Sequence, residues 1–198
     1  MTSMSDTPLQ LAVIVGSTRE GRMASTVADW LVTQAQQREE VELDVIDLAD
    51  LDLPMIYPQV PEPAVRAYLE RIDRADAFVV ITPEYNHGYP ASLKQAIDLP
   101  REQWRRKAVA FVSYGGGAGG LRAVEQLRQV FAELHAVTIR DSVSFHMAWD
   151  RFDESGEPHD PARCNAGAET MLDELAWWAT ALRTARTADV CCLEGAGR

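Results

Sequence analysis

The chain has 198 residues, of which 46% are apolar and 25% charged, as in an ordinary globular protein. Its formal net charge is −11, and such an acidic surface repels phosphate backbones and anionic lipids, so we expect neither nucleic acid nor a membrane as partner. No apolar run approaches the roughly 20 residues that cross a bilayer, and the N-terminus lacks a signal-peptide pattern. With only three cysteines, the sequence predicts a cytoplasmic protein.

Short apolar runs alternate with longer amphipathic stretches along the chain. The short runs predict strands within residues 9–15, 41–46, 77–81, 108–112 and 137–145. Apolar residues at helical spacing predict helices over residues 24–35, 65–72, 91–99, 121–134 and 161–182. This alternation indicates an α/β domain with a mostly parallel sheet that is covered by helices on both faces.

The predicted domain covers residues 9–187, between a disordered N-terminus (residues 1–8) and a loose C-terminal tail (residues 188–198). Residues 147–158 form the longest polar loop and contain Trp149 and Phe152. A loop of this kind is either the wall of a site or a subunit contact. Four tryptophans are candidates for an interface, with core packing as the alternative: Trp104, Trp149, Trp177 and Trp178.

Ligands of such sheets bind beyond the carboxyl ends of the strands, which makes three loops informative. The first loop, residues 16–25, reads GSTREGRMAS and leads from a strand into a helix. Its backbone N–H groups and the Ser17 hydroxyl can surround an anion at the helix N-terminus, and Arg19 and Arg22 can neutralise a phosphate. The alternative is a solvated turn in which Arg19 pairs with Glu20. A P-loop is disfavoured because Met23 stands where the magnesium-binding hydroxyl is needed.

The second loop, residues 82–90, reads TPEYNHGYP and follows the most apolar strand. A rigid turn here can present backbone donors and acceptors to the edge of a planar heterocycle, with Tyr85 as a wall. The Asn86 amide can both donate and accept hydrogen bonds. His87 is a candidate proton donor near neutral pH, or a loop histidine with no chemical role.

The third loop, residues 113–120, reads SYGGGAGG, and its glycines let a ligand approach the backbone closely. Gly115, Gly117 and Gly120 match the pattern G-x-G-x-x-G, but a dinucleotide fingerprint belongs after the first strand of the domain. We therefore interpret these glycines as room for a flat ring.

Together, GSTREGR, TPEYNHGYPASLKQAID and SYGGGAGGLRA resemble the NADPH-dependent FMN reductase family, over roughly residues 11–134. The resemblance implies a flavodoxin-like three-layer sandwich with a five-stranded parallel sheet in the order 2-1-3-4-5. It implies that FMN is the cofactor and that NADPH or NADH donates a hydride. It also implies a small-molecule acceptor, such as a quinone, azo compound, metal oxyanion or free flavin, and a homodimer or homotetramer.

The resemblance also assigns residues to the FMN site. The phosphate would be held by Ser17, Arg19, Arg22, Met23, Ala24 and Ser25. The isoalloxazine ring would be lined by Pro83, Glu84, Tyr85 and Asn86, and its pocket completed by Ser113, Tyr114, Gly115, Gly116 and Gly117. Since the flavin would carry the chemistry, no catalytic side chain and no metal are required, and His87 is the only candidate proton donor.

Two other hypotheses compete with a reductase. The acidity of the chain favours a flavodoxin-like one-electron carrier that docks on basic partners, whereas the second loop and the arginines of the first loop speak against it. A flavin-free scaffold would require degenerate loops, and all three loops are intact. The basic residues 101–107 could attract the 2′-phosphate of NADPH, or could be a solvated helix end.

Overall fold

The computed structural model describes residues 7–195, with side chains to residue 188. Within this part of the chain, five strands alternate with five α-helices. The strands are β1 (Leu9–Val15), β2 (Val41–Asp47), β3 (Ala77–Pro83), β4 (Ala108–Gly115) and β5 (Val137–His146). The helices are α1 (Ala24–Ala35), α2 (Pro63–Arg74), α3 (Ala91–Asp98), α4 (Leu121–Glu133) and α5 (Pro161–Gly195).

The strands form one parallel sheet in the order β2-β1-β3-β4-β5. This confirms the predicted flavodoxin-like topology. Along the chain, β2 lies on one side of β1 whereas β3, β4 and β5 follow on the other, so the strand order reverses at β1. Ligands of such sheets bind at this reversal, beyond the carboxyl ends of β1 and β3.

Two hydrophobic cores cover the two faces of the sheet, because successive strand residues point to opposite faces. In β3, Val79 belongs to the core beneath α1 and α5, whereas Phe78 and Val80 belong to the core beneath α2, α3 and α4. All seven residues of β3 are buried, as expected of a central strand with helices on both faces. The predicted helical stripes point into these cores, except that Leu121 is 43% exposed.

One prediction for the C-terminal half needs correction. Helix α5 continues to Gly195, whereas the sequence predicted a loose tail from residue 188. No proline or glycine interrupts the chain between Thr187 and Gly195, so the helical hydrogen bonds continue. Residues 1–6 and 196–198, which include most of the predicted disordered N-terminus, lie outside the described residues. No helix in the described part of the chain has an apolar stretch long enough to cross a membrane.

The basic residues 101–107 precede β4 and so lie at the amino end of the sheet, away from the three loops. Trp104 is fully buried in the core, and Lys107 is buried as well. The Lys107 ammonium donates hydrogen bonds to the carbonyl oxygens of Ile72 (2.9 Å) and Asp73 (2.6 Å) at the end of α2. At the amino end of β4 this cluster cannot serve a ligand bound at the carboxyl ends.

A charged cluster ties α5 to the amino end of the sheet. Asp76, which directly precedes β3, accepts hydrogen bonds from Arg186 (2.7 Å) and Arg183 (3.3 Å) of α5 and from the backbone N–H of Gln10 (3.2 Å). Arg186 also donates to the carbonyl oxygen of Arg106 (2.7 Å). The terminal helix is therefore anchored by paired charges as well as by its apolar face.

Candidate active site

The three loops lie side by side at the carboxyl ends of β1, β3 and β4. The hydroxyls of Ser17 and Tyr85 are 2.8 Å apart, which joins the first loop to the second. The backbone N–H of Glu84 donates to the carbonyl oxygen of Tyr114 at 3.1 Å, which joins the second loop to the third. The structure thus brings together the three regions that the sequence singled out.

The first loop leaves the sheet through a tight passage at Gly16. The Gly16 N–H donates to the carbonyl oxygen of Ile81 (2.9 Å), and its own carbonyl accepts from the Ser92 hydroxyl (3.2 Å). A Cβ atom at Gly16 would lie 3.0 Å from that Ile81 oxygen, so a larger residue would displace the loop. Ser17 is fully buried, whereas Arg19 is exposed and makes no ion pair with Glu20 within the described residues.

Arg22 is tied to the edge strand of the sheet. Its guanidinium donates to both carboxylate oxygens of Asp47 at 2.7 and 2.5 Å, and also to the carbonyl oxygen of Ser17. The sequence predicted this side chain on a phosphate. In the structure its charge is already neutralised by a carboxylate, so Arg22 braces the first loop and leaves Arg19 as the exposed cation there.

Helix α1 begins at the end of the first loop without a side-chain cap. Met23 stands at the N-cap position, and its side chain makes no capping hydrogen bond. The first N–H groups of an α-helix have no partner within the helix, and the helix dipole adds positive potential at that end. The backbone of Met23, Ala24 and Ser25 therefore offers donors to an anion, and their role on a phosphate stays a prediction.

The second loop is a strained hairpin. Tyr85 and Gly88 exchange backbone hydrogen bonds of 2.9 and 3.1 Å, which places Asn86 and His87 at the tip with left-handed φ angles of 50° and 75°. Each such residue costs on the order of 1 kcal/mol and persists only when the surroundings fix it. Backbone strain of this kind clusters at binding sites, and both residues are exposed.

The surroundings that fix this hairpin belong to α4. Arg122 donates to the Glu84 carboxylate through Nε (2.6 Å) and through its backbone N–H (3.2 Å), and its Nη1 lies 3.0 Å from Nδ1 of His87. Gln126 donates to the His87 carbonyl oxygen at 2.9 Å. Because a guanidinium only donates, Nδ1 of His87 is the acceptor in this contact, which leaves Nε2 as the ring nitrogen that can donate.

The sequence analysis did not assign Arg122 or Gln126 to the site. The only signal for Arg122 was its place in GLRA, directly after the third loop, and no local pattern indicates that it reaches Glu84. The contact with Arg122 leaves Nε2 as the nitrogen of His87 that can donate a hydrogen bond, and the role of His87 as a proton donor stays a prediction.

The third loop depends on two glycines with positive φ angles, Gly119 (60°) and Gly120 (87°). A Cβ atom at Gly120 would lie 2.6 Å from Cβ of Ser113, so no other residue fits there without movement of the backbone. Ser113 itself is fully buried, and its hydroxyl donates to the Gly119 carbonyl oxygen at 2.9 Å. It supports the loop from beneath rather than facing solvent. Gly117 differs, because a Cβ atom there would meet nothing within 4 Å.

Tyr114 brings a polar atom into the core next to the first loop. Its side chain packs in the core beneath α1 and α5 and is only 6% exposed. Burial raises the pKa of Tyr114, and the nearby Ser17 hydroxyl acts in the opposite direction. The Tyr114 hydroxyl nevertheless has no hydrogen-bond partner with acceptable geometry in the described part of the chain. A buried hydroxyl without a partner costs free energy, and a bound polar group would relieve that cost.

An open cleft of about 630 Å³ runs between the first and second loops. It is lined by Thr18, Arg19, Glu84, Tyr85, Asn86, Pro90, Ala91 and Ser92. The third loop adjoins it, since a Cβ atom at Gly115 would lie 3.5 Å from Cβ of Glu84. One side of the cleft therefore carries an exposed cation and the other side lies next to glycine-rich backbone.

A family model described as NADPH-dependent FMN reductase matches residues 9–150, which carry all three loops. The chain belongs to this family. The predicted resemblance is thus confirmed, and with it the expectation of an oxidoreductase whose family is named for FMN and NADPH.

Curated relatives support the same family. The chain is 34% identical over 173 residues to a probable NADPH:quinone oxidoreductase 2 of Oryza sativa subsp. japonica, which covers 80% of this chain and 83% of that protein. It is 31% identical over 178 residues to a quinone reductase of Pseudomonas putida, with 85% and 93% covered. The match to an NAD(P)H-dependent FMN reductase of Schizosaccharomyces pombe, at 35% identity, spans 61% of this chain and 64% of that protein.

A solved structure supports the fold. The flavoenzyme NAD(P)H:(acceptor) oxidoreductase of Paracoccus denitrificans superposes with a TM-score of 0.69 at 23% identity, covering 87% of this chain and 98% of that one. At this level of identity the likeness shows the fold alone. It agrees with the strand order described above for this FMN reductase family member.

Proposed function

We propose that this protein is an FMN-dependent NAD(P)H oxidoreductase that passes a hydride to a small acceptor, with quinones as the main class. The arrangement of the cleft carries the proposal: exposed Arg19 and the uncapped α1 lie at one end, and glycine-rich backbone adjoins the other. A long ligand with an anionic tail and a flat ring matches both ends. The names of the rice and Pseudomonas relatives support the choice of quinones.

The first loop fits the phosphate of FMN. The Arg19 guanidinium would neutralise the charge of the phosphate. The backbone N–H groups of Met23, Ala24 and Ser25, at the start of α1, would donate hydrogen bonds to its oxygens. The Tyr114 hydroxyl lies near Ser17 but is buried in the core, so Tyr114 would support the first loop rather than contact the phosphate. Arg22, held by Asp47, would keep the Ser17 backbone in place rather than contact the phosphate.

The second and third loops fit the ring. Pro83, Glu84, Tyr85 and Asn86 would present backbone and amide groups along one edge, and Gly115, Gly116 and Gly117 would let the ring approach the backbone, with Ser113 beneath them. When bound, FMN supplies the ability to accept a hydride and pass it on. The protein holds the hairpin in its strained form through Arg122 and Gln126, and His87 offers Nε2–H as a hydrogen-bond donor.

The assembly and the compartment are also part of the proposal. We infer a homodimer or homotetramer, since several large apolar side chains are exposed, among them Met55 (79%), Ile56 (84%) and Val60 (76%). Cytoplasmic location stays a prediction from the sequence.

The decisive experiment is an absorbance titration of the purified protein with FMN, followed by anaerobic addition of NADPH. We expect tight binding of FMN, weaker binding of riboflavin because Arg19 then lacks its phosphate, and bleaching of the flavin by one equivalent of NADPH. Addition of a quinone should restore the oxidised spectrum. A protein that binds FMN but is reduced only by one-electron donors would instead be a carrier, and failure to bind FMN would overturn the proposal.

A further inference from the structure

Trp149 lies beside the third loop, on the turn that follows β5. A Cβ atom at Gly116 would be 3.5 Å from Cη2 of the indole. The same turn is bonded to the loop through its backbone, because the Met147 N–H donates to the Gly116 carbonyl oxygen at 3.0 Å. His146 adds a bond from Nδ1 to the Gly117 carbonyl oxygen at 2.9 Å. Trp149 is therefore attached to the glycines that adjoin the cleft.

The turn that carries Trp149 is held firmly. Met147 adopts a left-handed φ of 49°, and the next residue, Ala148, is buried. The Asp150 N–H donates to the Met147 carbonyl oxygen (2.9 Å), and Arg151 Nε donates to the His146 carbonyl oxygen (2.9 Å). The backbone beneath the indole is thus fixed although the ring itself is accessible.

The indole is unusually exposed for its size. It is 58% accessible and makes no ring–ring contact with another aromatic among residues 7–188, whereas exposed Trp177 packs edge-on against Trp178 at 5.2 Å. Exposed tryptophan with a fixed backbone is typical of binding surfaces, because the ring offers a large flat area at low entropic cost.

The position along the sheet indicates what the indole would bind. The loops follow one another in strand order, with the Arg19 loop after β1, the hairpin after β3, the glycine loop after β4 and Trp149 after β5. Neighbouring strands are about 4.8 Å apart, so Trp149 stands one strand spacing beyond the glycine loop, at the end remote from Arg19. A planar molecule lying over that loop would meet the face or edge of the indole.

We propose that Trp149 forms a wall of the acceptor site and favours flat aromatic acceptors, such as naphthoquinones, by stacking. The inference rests on the proposed function and deepens it, since it assigns the acceptor's ring to a residue outside the three loops. An octahedral acceptor such as ferricyanide has no ring to stack, so its use should not depend on the indole to the same degree.

The test compares Trp149→Ala with Trp149→Phe, and uses Trp177→Ala as the matched control for loss of an exposed indole. In steady-state assays with NADPH, we expect Trp149→Ala to raise the KM for 2-methyl-1,4-naphthoquinone about tenfold relative to that for ferricyanide, which corresponds to the free energy of one aromatic pair. Trp149→Phe should recover most of this loss. Trp177→Ala should leave both KM values as in the wild type.

Three outcomes would overturn the inference while leaving the proposed function intact: an unchanged KM ratio in Trp149→Ala, an equal change for both acceptors, or a change of oligomeric state on gel filtration that explains the loss. A wild-type protein that binds FMN but turns over no acceptor with NADPH would overturn the proposed function itself. FMN affinity, measured by fluorescence quenching in each variant, separates an effect on the acceptor from an effect on the cofactor.

Discussion

The two ends of the sheet differ in how their polar groups are paired. At the carboxyl end, Asn86 and His87 adopt left-handed conformations and are exposed, and Arg19 is exposed as well. At the amino end, the buried Asp76 receives three hydrogen bonds, two of them from arginines of α5. One end keeps polar groups available for a ligand and the other satisfies them. Substitutions at the two ends should therefore have separable effects on stability and on ligand affinity.

The largest expected effect on stability is that of Asp76→Ala. It removes the acceptor of Arg183, Arg186 and the Gln10 N–H, and leaves partly buried positive charge without compensation. We expect the free energy of unfolding to fall by about 3 kcal/mol, measured by urea denaturation. Asp173→Ala is the matched control. Asp173 lies on the exposed side of α5, the helix that also carries Arg183 and Arg186, and its loss breaks only an ion pair with Arg38, which should cost less than about 1 kcal/mol.

FMN affinity provides the second half of this test. Asp76→Ala should leave it unchanged under conditions where the variant is folded, because Asp76 precedes β3 and the cleft follows that strand. A variant that keeps its stability, or that loses FMN in proportion to its loss of stability, would contradict the division between the two ends.

The next effect in size concerns the pH dependence of stability, through Lys107. Burial lowers the pKa of Lys107 to about 8 in the folded state, from 10.5 ordinarily. Between these values the unfolded chain binds more protons than the folded one, so the free energy of unfolding rises with pH. The penalty is fully present below pH 8 and fades toward pH 10.5, and the rise from pH 8 to 10 should be about 2 kcal/mol.

Chemical denaturation at intervals across this range would measure the rise, with Lys107→Met as the control variant that lacks it. Tyr68 and Tyr114, whose pKa values burial raises, oppose the trend as the pH approaches 10, so the difference between the wild type and Lys107→Met gives the contribution of Lys107. A flat profile for the wild type, or the same slope in Lys107→Met, would show that Lys107 is not the source.

The smallest expected effect on stability is that of Gly117→Ala at the carboxyl end. A methyl group there meets nothing in the protein, so the free energy of unfolding should change by less than about 0.5 kcal/mol. If the flavin ring lies against this backbone, FMN affinity should nevertheless fall about tenfold. The contrasting variant is Gly120→Ala, which clashes with Ser113 in a left-handed conformation and should lower stability as well. Unchanged FMN affinity in Gly117→Ala would remove this glycine from the site.

Most of the fold could be predicted from the sequence because its signals are local. The unbroken apolar run of β3 and the spacing of Val65, Tyr68 and Ile72 in α2 identify their elements without tertiary information. The end of α5 could not be predicted in this way, since residues 188–194 carry neither a helix breaker nor a strong apolar stripe. The three site loops were also recognisable, because glycine, proline and arginine were concentrated at strand ends.

The pairing of side chains within the site was not predictable. Arg22 reaches Asp47 across 25 positions, and Arg122 reaches Glu84 across 38. Each depends on which strands become neighbours, and a residue's type alone does not show whether its charge is used by the protein or kept for a ligand. The sequence therefore indicated three loops that the structure brings together, but assigned Arg22 to a ligand where the structure pairs it with a carboxylate.

Asp47 connects the edge strand of the sheet to the first loop of the site. This last residue of β2 holds Arg22, and it also accepts a hydrogen bond from the Ala49 N–H that shapes the following turn. Edge strands are the part of a sheet that opens most readily to solvent. Fraying of β2 would thus loosen the support that Arg22 gives to Ser17. A ligand bound at the first loop would in turn stabilise the pairing of β2 with β1. The stability of this edge strand and the affinity of the site for its ligand are therefore thermodynamically coupled.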